Sequence, residues 1–294
     1  MQEVANTLWA YATMGREPGA GLMRELEGRA EALAGTFNAQ AVANTLWAYA
    51  TMGRAPGTGM MRELEGRAEA LAGTLNAQGV ANTLWAASVF SIFPSHQEGG
   101  RLVHTVARRL VSLDKPGCLN TAELCQLHQF FVGCGVEPRL CVEAINDMQS
   151  LKEECRLAFE GTKTAPSATQ QQVSETLCQM GLSVEVEARC PKSGYSIDML
   201  VHDSTLGMGG ESSSSASTWA VEFDGPDHFL ASRAPTGATL LKRRHLRLLG
   251  HALVSVPYWE WSGCKGAGER EQYLRSKLGA CGPSAVGLRS LGRG

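Results

Sequence analysis

The sequence predicts an α-solenoid of helical-hairpin repeats followed by a small α/β domain. Two observations carry this. Residues 4–41 and 42–79 are near copies, differing at five of 38 aligned positions, and self-similarity at a fixed period of this size marks stacked repeats. Beyond residue 173 the pattern changes to short period-two apolar runs separated by turn residues and one basic helical stretch, as in a small sheet domain.

Each repeat reads as two helices. In the second copy, helix A spans residues 39–52, with Asn38 as N-cap and Gly53 as the stop. Val42, Leu46 and Ala50, with Ala43 and Trp47, recur at i, i+4. Arg54-Ala55-Pro56-Gly57 makes the turn, and helix B follows over residues 59–72. Met61, Leu64, Ala68 and Leu71 form its inner stripe, while Glu63 and Arg67 can pair on the wet face. A third copy opens at Val80 as VANTLWA and then diverges. A fourth echo starts at Leu119, where LNTAELCQLHQFF aligns with FNAQAVANTLWAY from Phe37. The repeat region is thus 1–160, degenerate over 80–160. Trp9, Trp47 and Trp85 are expected in the core. Asn44 and Asn82 have two readings: they face a groove, as in repeat proteins that read one base per unit, or they bond backbone or water. The chain begins inside a helix A with no helix before it, so an N-terminal truncation that removed any transit peptide is expected.

The degenerate part predicts helices over 101–113, 121–132 and 138–159. Residues 161–172 are a polar linker, leading into a helix over 170–180 and a strand over 184–188. A second strand spans 195–201 and carries Asp198. Residues 204–218, rich in Ser and Gly, are expected to be a disordered loop between strands. Trp219, Val221 and Phe223 then alternate as a strand. Its acids Glu222 and Asp224 lie two apart, on one face, before the turn Asp224-Gly225-Pro226. A basic helix is expected over 239–249, a strand over 252–261, the end of the domain at 278, and a disordered tail over 279–294.

Net charge is −2, so nothing global announces a polyanionic partner. Locally, no acid occurs between His228 and Trp259, a stretch holding Arg233, Lys242, Arg243, Arg244 and Arg247. A basic patch on a near-neutral chain is a pointer to nucleic acid. The nine cysteines all lie between Cys118 and Cys281 with no C-x-x-C pair, which suits reduced thiols better than a zinc or disulfide framework. No apolar run is long enough to span a membrane.

The order strand with Asp198, strand with Glu222-Phe223-Asp224-Gly225, His228, helix with Lys242-Arg243-Arg244-His245-Leu246, Leu249-Gly250 and closing strand resembles the RAP domain, over roughly residues 170–278. Through it, the stretch resembles the PD-(D/E)xK, restriction-endonuclease-like superfamily, including the very-short-patch repair endonucleases. The 38-residue period with the string ANTLWAYA resembles octotricopeptide repeats, which accompany RAP domains in green algae. These resemblances imply binding of single-stranded organellar mRNA or rRNA, within a ribonucleoprotein complex, in post-transcriptional maturation, stability or translation. They place it in the chloroplast, with the mitochondrion as alternative, as in RAP and FAST-kinase-like proteins. Arg243, Arg244 and Arg247 would meet phosphates, with His228, Asn44 and Asn82 as further RNA contacts and no cofactor needed for binding. Tyr258, Trp259 and Trp261 could stack bases or half-fill the core.

The nuclease resemblance implies an alternative, Mg²⁺-dependent RNA cleavage. Asp198, Glu222 and Asp224 would be the metal ligands and catalytic acids, assisted by Lys242. The family's strand lysine, two after the acid, is replaced by Asp224. Lys242 could lean to the sheet as its substitute or pair with Asp224. A third reading is a protein-interaction scaffold built on the α-solenoid.

Overall fold

In the computed structural model, residues 2–90, 97–113, 117–137, 145–162, 165–202 and 218–281 are described. Among them are twelve α-helices and one four-stranded mixed sheet. The chain divides into two units. The first holds Met1–Thr162 with Asp227–Lys242, and the second holds Lys163–Pro226 with Arg243–Gly294.

In the first unit the two repeats fold alike. Helices α1 (Gln2–Thr13), α3 (Ala39–Thr51) and α5 (Ala77–Phe90) are the A-helices; α2 (Ala20–Leu33) and α4 (Thr58–Leu71) are B-helices. Asn38 caps α3 by accepting from the Ala41 N–H at 2.8 Å, and Asn76 does the same for Gly79 at 2.8 Å. The fourth echo coincides with a helix: α7 (Thr121–Val136) starts with Asn120 and Glu123 in a reciprocal capping box. Each A-helix lies beside the next, α1 with α3, α3 with α5 and α5 with α7. Small residues permit this approach: Ala5, Ala43, Ala50, Ala81 and Ala87 are buried beside Leu8, Leu46 and Leu84.

B-helices pair in their own row, α2 with α4 and α4 with α6 (Gln97–Leu113). The polar contacts there go to backbone. Arg67 Nε donates to the Phe37 carbonyl at 2.7 Å, and Arg109 Nε to the Leu75 carbonyl at 3.0 Å, the same bond one repeat on. This gives Arg67 a structural partner other than Glu63. The last helix of the unit, α8 (Gln149–Glu160), is shorter than the expected 138–159. Residues 145–148 form a turn before it, and 138–144 fall outside the described residues.

The core of this unit is completed from far along the sequence. Leu230 and Leu241 are buried in its hydrophobic cluster, with Ala234 packed against it. Residues 228–236 form a small hairpin, closed by Leu230 N–H to the Ala234 carbonyl at 2.8 Å and a bridge between Phe229 and Pro235.

The second unit is an α/β layer. Strand order is β1 (Ser183–Arg189), β2 (Ser196–His202), β3 (Thr218–Asp224), β4 (Ala252–Pro257). The first two pairings are antiparallel and β3–β4 is parallel. A parallel pair needs a crossover, and α10 (Gly237–Leu248) lies in it. One sheet face, with Met199, Val201, Val221, Val254 and Val256, shares a core with Val173 and Leu177 of α9 (Ala168–Gln179) and Leu274 and Leu278 of α12 (Ala267–Ala280). Helix α9 is capped by Ser167 with Gln170 reaching back, so it starts two residues before the expected position.

Two expectations change here. The closing strand stops at Pro257, and Tyr258–Gly263 is a short helix, α11. Parallel pairing with β3 ends at Asp224↔Pro257, leaving nothing for a longer strand to pair with, and a proline fits the entry to a helix. Helix α12 runs through Ala280, into the expected tail. The loop expected over 204–218 lies outside the described residues except for Thr218, which is in β3. No helix among the described residues is long and apolar enough to cross a membrane.

Leu241 is fully buried in the helical unit although it lies 79 residues beyond Thr162 (241 minus 162). Leu241→Ala is expected to cost about 2–5 kcal/mol. Urea denaturation measures the loss, and hydrogen exchange should place it in α3 and α5; a loss confined to the sheet strands would contradict this assignment.

Candidate functional site

The second sheet face carries the polar residues. Glu222 is paired with Ser255 across the parallel strands. Carrying the β2–β3 register one step past Met199↔Val221 puts Asp198 opposite Glu222. Carrying the β1–β2 register through puts Glu187 opposite Asp198. One row across the sheet thus reads Glu187, Asp198, Glu222, Ser255. The β2–β3 pairing stops at Met199↔Val221 and the β1–β2 pairing skips Glu187 and Asp198, so these acids lie in a neighbourhood where the regular ladder is broken.

Their hydrogen bonds say what that neighbourhood does. Asp198 Oδ2 accepts the Phe223 backbone N–H at 2.9 Å, taking the place of a main-chain carbonyl where the β2–β3 ladder ends. Glu187 stands in the left-handed region at φ 53, which is costly for a non-glycine residue. Its carboxylate accepts from Gln170 Nε2 at 2.7 Å and from Ser196 Oγ at 2.6 Å. Asp224, 1% exposed, accepts from Arg243 Nη2 at 2.6 Å and from Ser255 Oγ. The same Arg243 nitrogen lies 2.8 Å from Ser255 Oγ. Nearby, the Tyr195 hydroxyl and His245 Nδ1 form a buried hydrogen bond at 3.1 Å.

A divalent cation of the Mg²⁺ type needs several oxygens aimed at one point. Asp224 is already joined to a guanidinium and a hydroxyl, and Asp198 to a backbone N–H. Among the described residues no three His, Cys, Asp or Glu side chains group as a metal site. The expected metal set therefore does not fit these side chains as they stand, and no step through a metal is derived.

Arg243 is the main surprise. A helical wheel puts it with Arg244 and Arg247 on the wet side, yet its guanidinium reaches inward and its side chain is only 12% exposed. A long aliphatic stem can carry the charge round to a buried partner. Arg244 is half-buried and Arg247 exposed. Leu248, four residues after Arg244 on the same helix, is exposed. His228 works through its backbone, its carbonyl accepting from the Thr236 N–H and from Thr239 Oγ1, both at 3.0 Å. Trp261 is buried, which leaves Tyr258 and Trp259, half-buried and edge-to-face at 5.1 Å, as the aromatic pair beyond β4.

The helical unit has its own candidate surface. Side chains at equivalent places on neighbouring A-helices meet in rows. Asn82 Oδ1 accepts from Gln126 Nε2 at 3.2 Å, and Trp85 Nε1 donates to Gln129 Oε1 at 2.6 Å. Gln126 and Gln129 occupy, in the fourth unit, the places of Asn44 and Trp47. Asn82 is buried and satisfied there, so it does not face a ligand. The row opens at the other end: Asn6 is exposed, Asn44 half-buried, Trp9 is 45% exposed, and the Trp9 and Trp47 rings are 6.4 Å apart. Trp9 thus departs from its expected core position. All charges in the two repeats lie on the turns and B-helices apart from Glu3, so this row is neutral.

Residues 221–277, from β3 into α12, match the RAP domain family model. A chloroplastic RAP domain-containing protein of Oryza sativa subsp. japonica is 33% identical over 114 residues, 38% of this chain and 16% of that protein. The mitochondrial FAST kinase domain-containing protein 3 of Bos taurus is 43% identical over 60 residues, 20% of this chain and 9% of that protein. Its Homo sapiens counterpart is 40% identical over 60 residues, with the same coverage. The chain spans less than a fifth of the length of these relatives.

Removing Arg243 would leave Asp224 as a buried carboxylate without its guanidinium. Arg243→Ala is expected to cost about 3–5 kcal/mol. A thermodynamic cycle with Asp224→Ala should show strong coupling, the double variant losing less than the sum of the singles; additive losses would show that the pair is not a unit.

Proposed function

We propose that this chain, whose residues 221–277 match the RAP domain, binds single-stranded RNA in the post-transcriptional metabolism of an organelle, the chloroplast before the mitochondrion. The observation that carries the reading is that match. It spans β3, the basic helix and β4, and its relatives are chloroplastic and mitochondrial proteins. On this reading the paired helices form an α-solenoid, and the RNA is held in two chemically different ways.

Arg244 and Arg247 on α10 supply charge for phosphates. Such contacts are sequence-blind and release counterions. The open row of Asn6, Asn44, Trp9 and Trp47 supplies what bases need instead. A carboxamide can both donate to and accept from a base edge, and an exposed indole offers a stacking face. Because the two repeats are near copies, they would present like groups to successive bases. Arg243, Asp224 and Asp198 hold the module together and touch no RNA. Binding needs no cofactor.

The two contributions separate in a salt titration followed by fluorescence anisotropy with unstructured RNA. Arg244→Glu with Arg247→Glu is expected to weaken binding and to lower the slope of log affinity against log salt by about 1–2. Trp9→Ala and Asn44→Ala are each expected to cost about 1–3 kcal/mol of affinity with the slope unchanged. Affinity indifferent to both sets would sink the proposal. RNA cleavage that requires Mg²⁺ and is lost in Glu222→Ala would favour the nuclease reading in its place.

A further inference from the structure

The hairpin 228–236 and the start of α10 touch three A-helix ends in succession. The Ala231 N–H donates to the Gly15 carbonyl at 2.9 Å, just past α1, and Ser232 Oγ donates to Glu17 at 3.0 Å. At the end of α3 the approach is closer. A Cβ added at Gly53 would lie 2.7 Å from the Pro235 carbonyl oxygen, and φ there is +68. A Cβ added at Gly237 would lie 1.7 Å from the Ala50 carbonyl oxygen and 3.0 Å from Val89 Cγ1 of α5. Any side chain at Gly237 would force these backbones apart. Gly15 and Gly53 are the same position of the repeat, so the hairpin meets the same helix-end feature twice. Leu230 and Leu241 anchor it on either side in the core.

We propose that this hairpin is a spacing strap. By tying the ends of α1, α3 and α5 together, it sets the separation of neighbouring A-helices and with it the pitch of the row holding Trp9 and Trp47. The strap touches no RNA. It positions the groups that do, so RNA affinity depends on it. This rests on the reading that the row contacts bases.

The test uses the full chain and two strap variants, Gly237→Ala and the milder Ala231→Pro, which removes only the N–H offered to Gly15. A third variant, Asn120→Ala, removes a cap on α7, outside the strap. Ala231→Pro is expected to speed hydrogen exchange at the C-terminal end of α1 by about tenfold, the scale of one lost hydrogen bond. It should also weaken RNA binding by about three- to tenfold with an unchanged salt slope. Asn120→Ala should lower stability and leave RNA affinity alone, which separates the strap from a general loss of stability. Unchanged exchange in α1, or faster exchange with unchanged RNA affinity, would overturn the strap. If Trp9→Ala weakens binding and Ala231→Pro does not, the strap alone fails; if neither does, the base-contact row fails with it.

Discussion

The closeness of neighbouring A-helices is the constraint on which the helical unit depends. Alanines at repeated places let α1, α3 and α5 lie side by side with little between them. Two consequences follow. Equivalent side chains meet in rows, so Asn82 finds Gln126 and Trp85 finds Gln129. The helix ends also come near enough for one hairpin to reach three of them, but only where the chain has no side chain, at Gly53 and Gly237. Larger residues on the A-helices would separate the rows and leave the hairpin nothing continuous to grip.

In the sheet unit, charge rather than size decides the arrangement. Burying Asp224 would be costly alone. Arg243 and Ser255 meet that cost and join α10 to β3 and β4. Of the acids on this face, Asp198 accepts a backbone N–H of β3, and Glu187, in the left-handed region, accepts from Gln170 and Ser196, so both carboxylates serve the strands they stand on. On the proposed reading, the charge offered to RNA is that of Arg244 and Arg247.

Much of this was legible in the residues. The repeat showed itself by near identity, and its fourth unit survived as an N-cap and a few spacings. Strands around Asp198 and Glu222 followed from alternation, and the basic helix from its apolar side. What was not legible depends on partners far along the chain. Nothing local says that Asn82 meets Gln126, or that Trp9 is exposed where Trp85 is buried. A helical wheel assigns a Cα direction and cannot say where an arginine's guanidinium ends, so Arg243 was placed with the wrong neighbours. The strand over 252–261 was too long because apolar aromatics at alternate places read alike in a strand and in a short helix after proline. That residues 227–242 complete the helical unit had one signal, Gly237 within an otherwise apolar and basic helix start, and it was not specific enough to read.

The account's central claim is that RNA is bound by the neutral A-helix row of the helical unit and, separately, by the charge on α10. Ultraviolet crosslinking of the full chain to single-stranded RNA, with crosslinked peptides identified by mass spectrometry, tests it directly. The account predicts crosslinks in the peptides carrying Trp9 and Trp47 and in the one carrying Arg244 and Arg247. Crosslinks confined to the charged B-helices α2 and α4, or spread without preference over the surface, would contradict it.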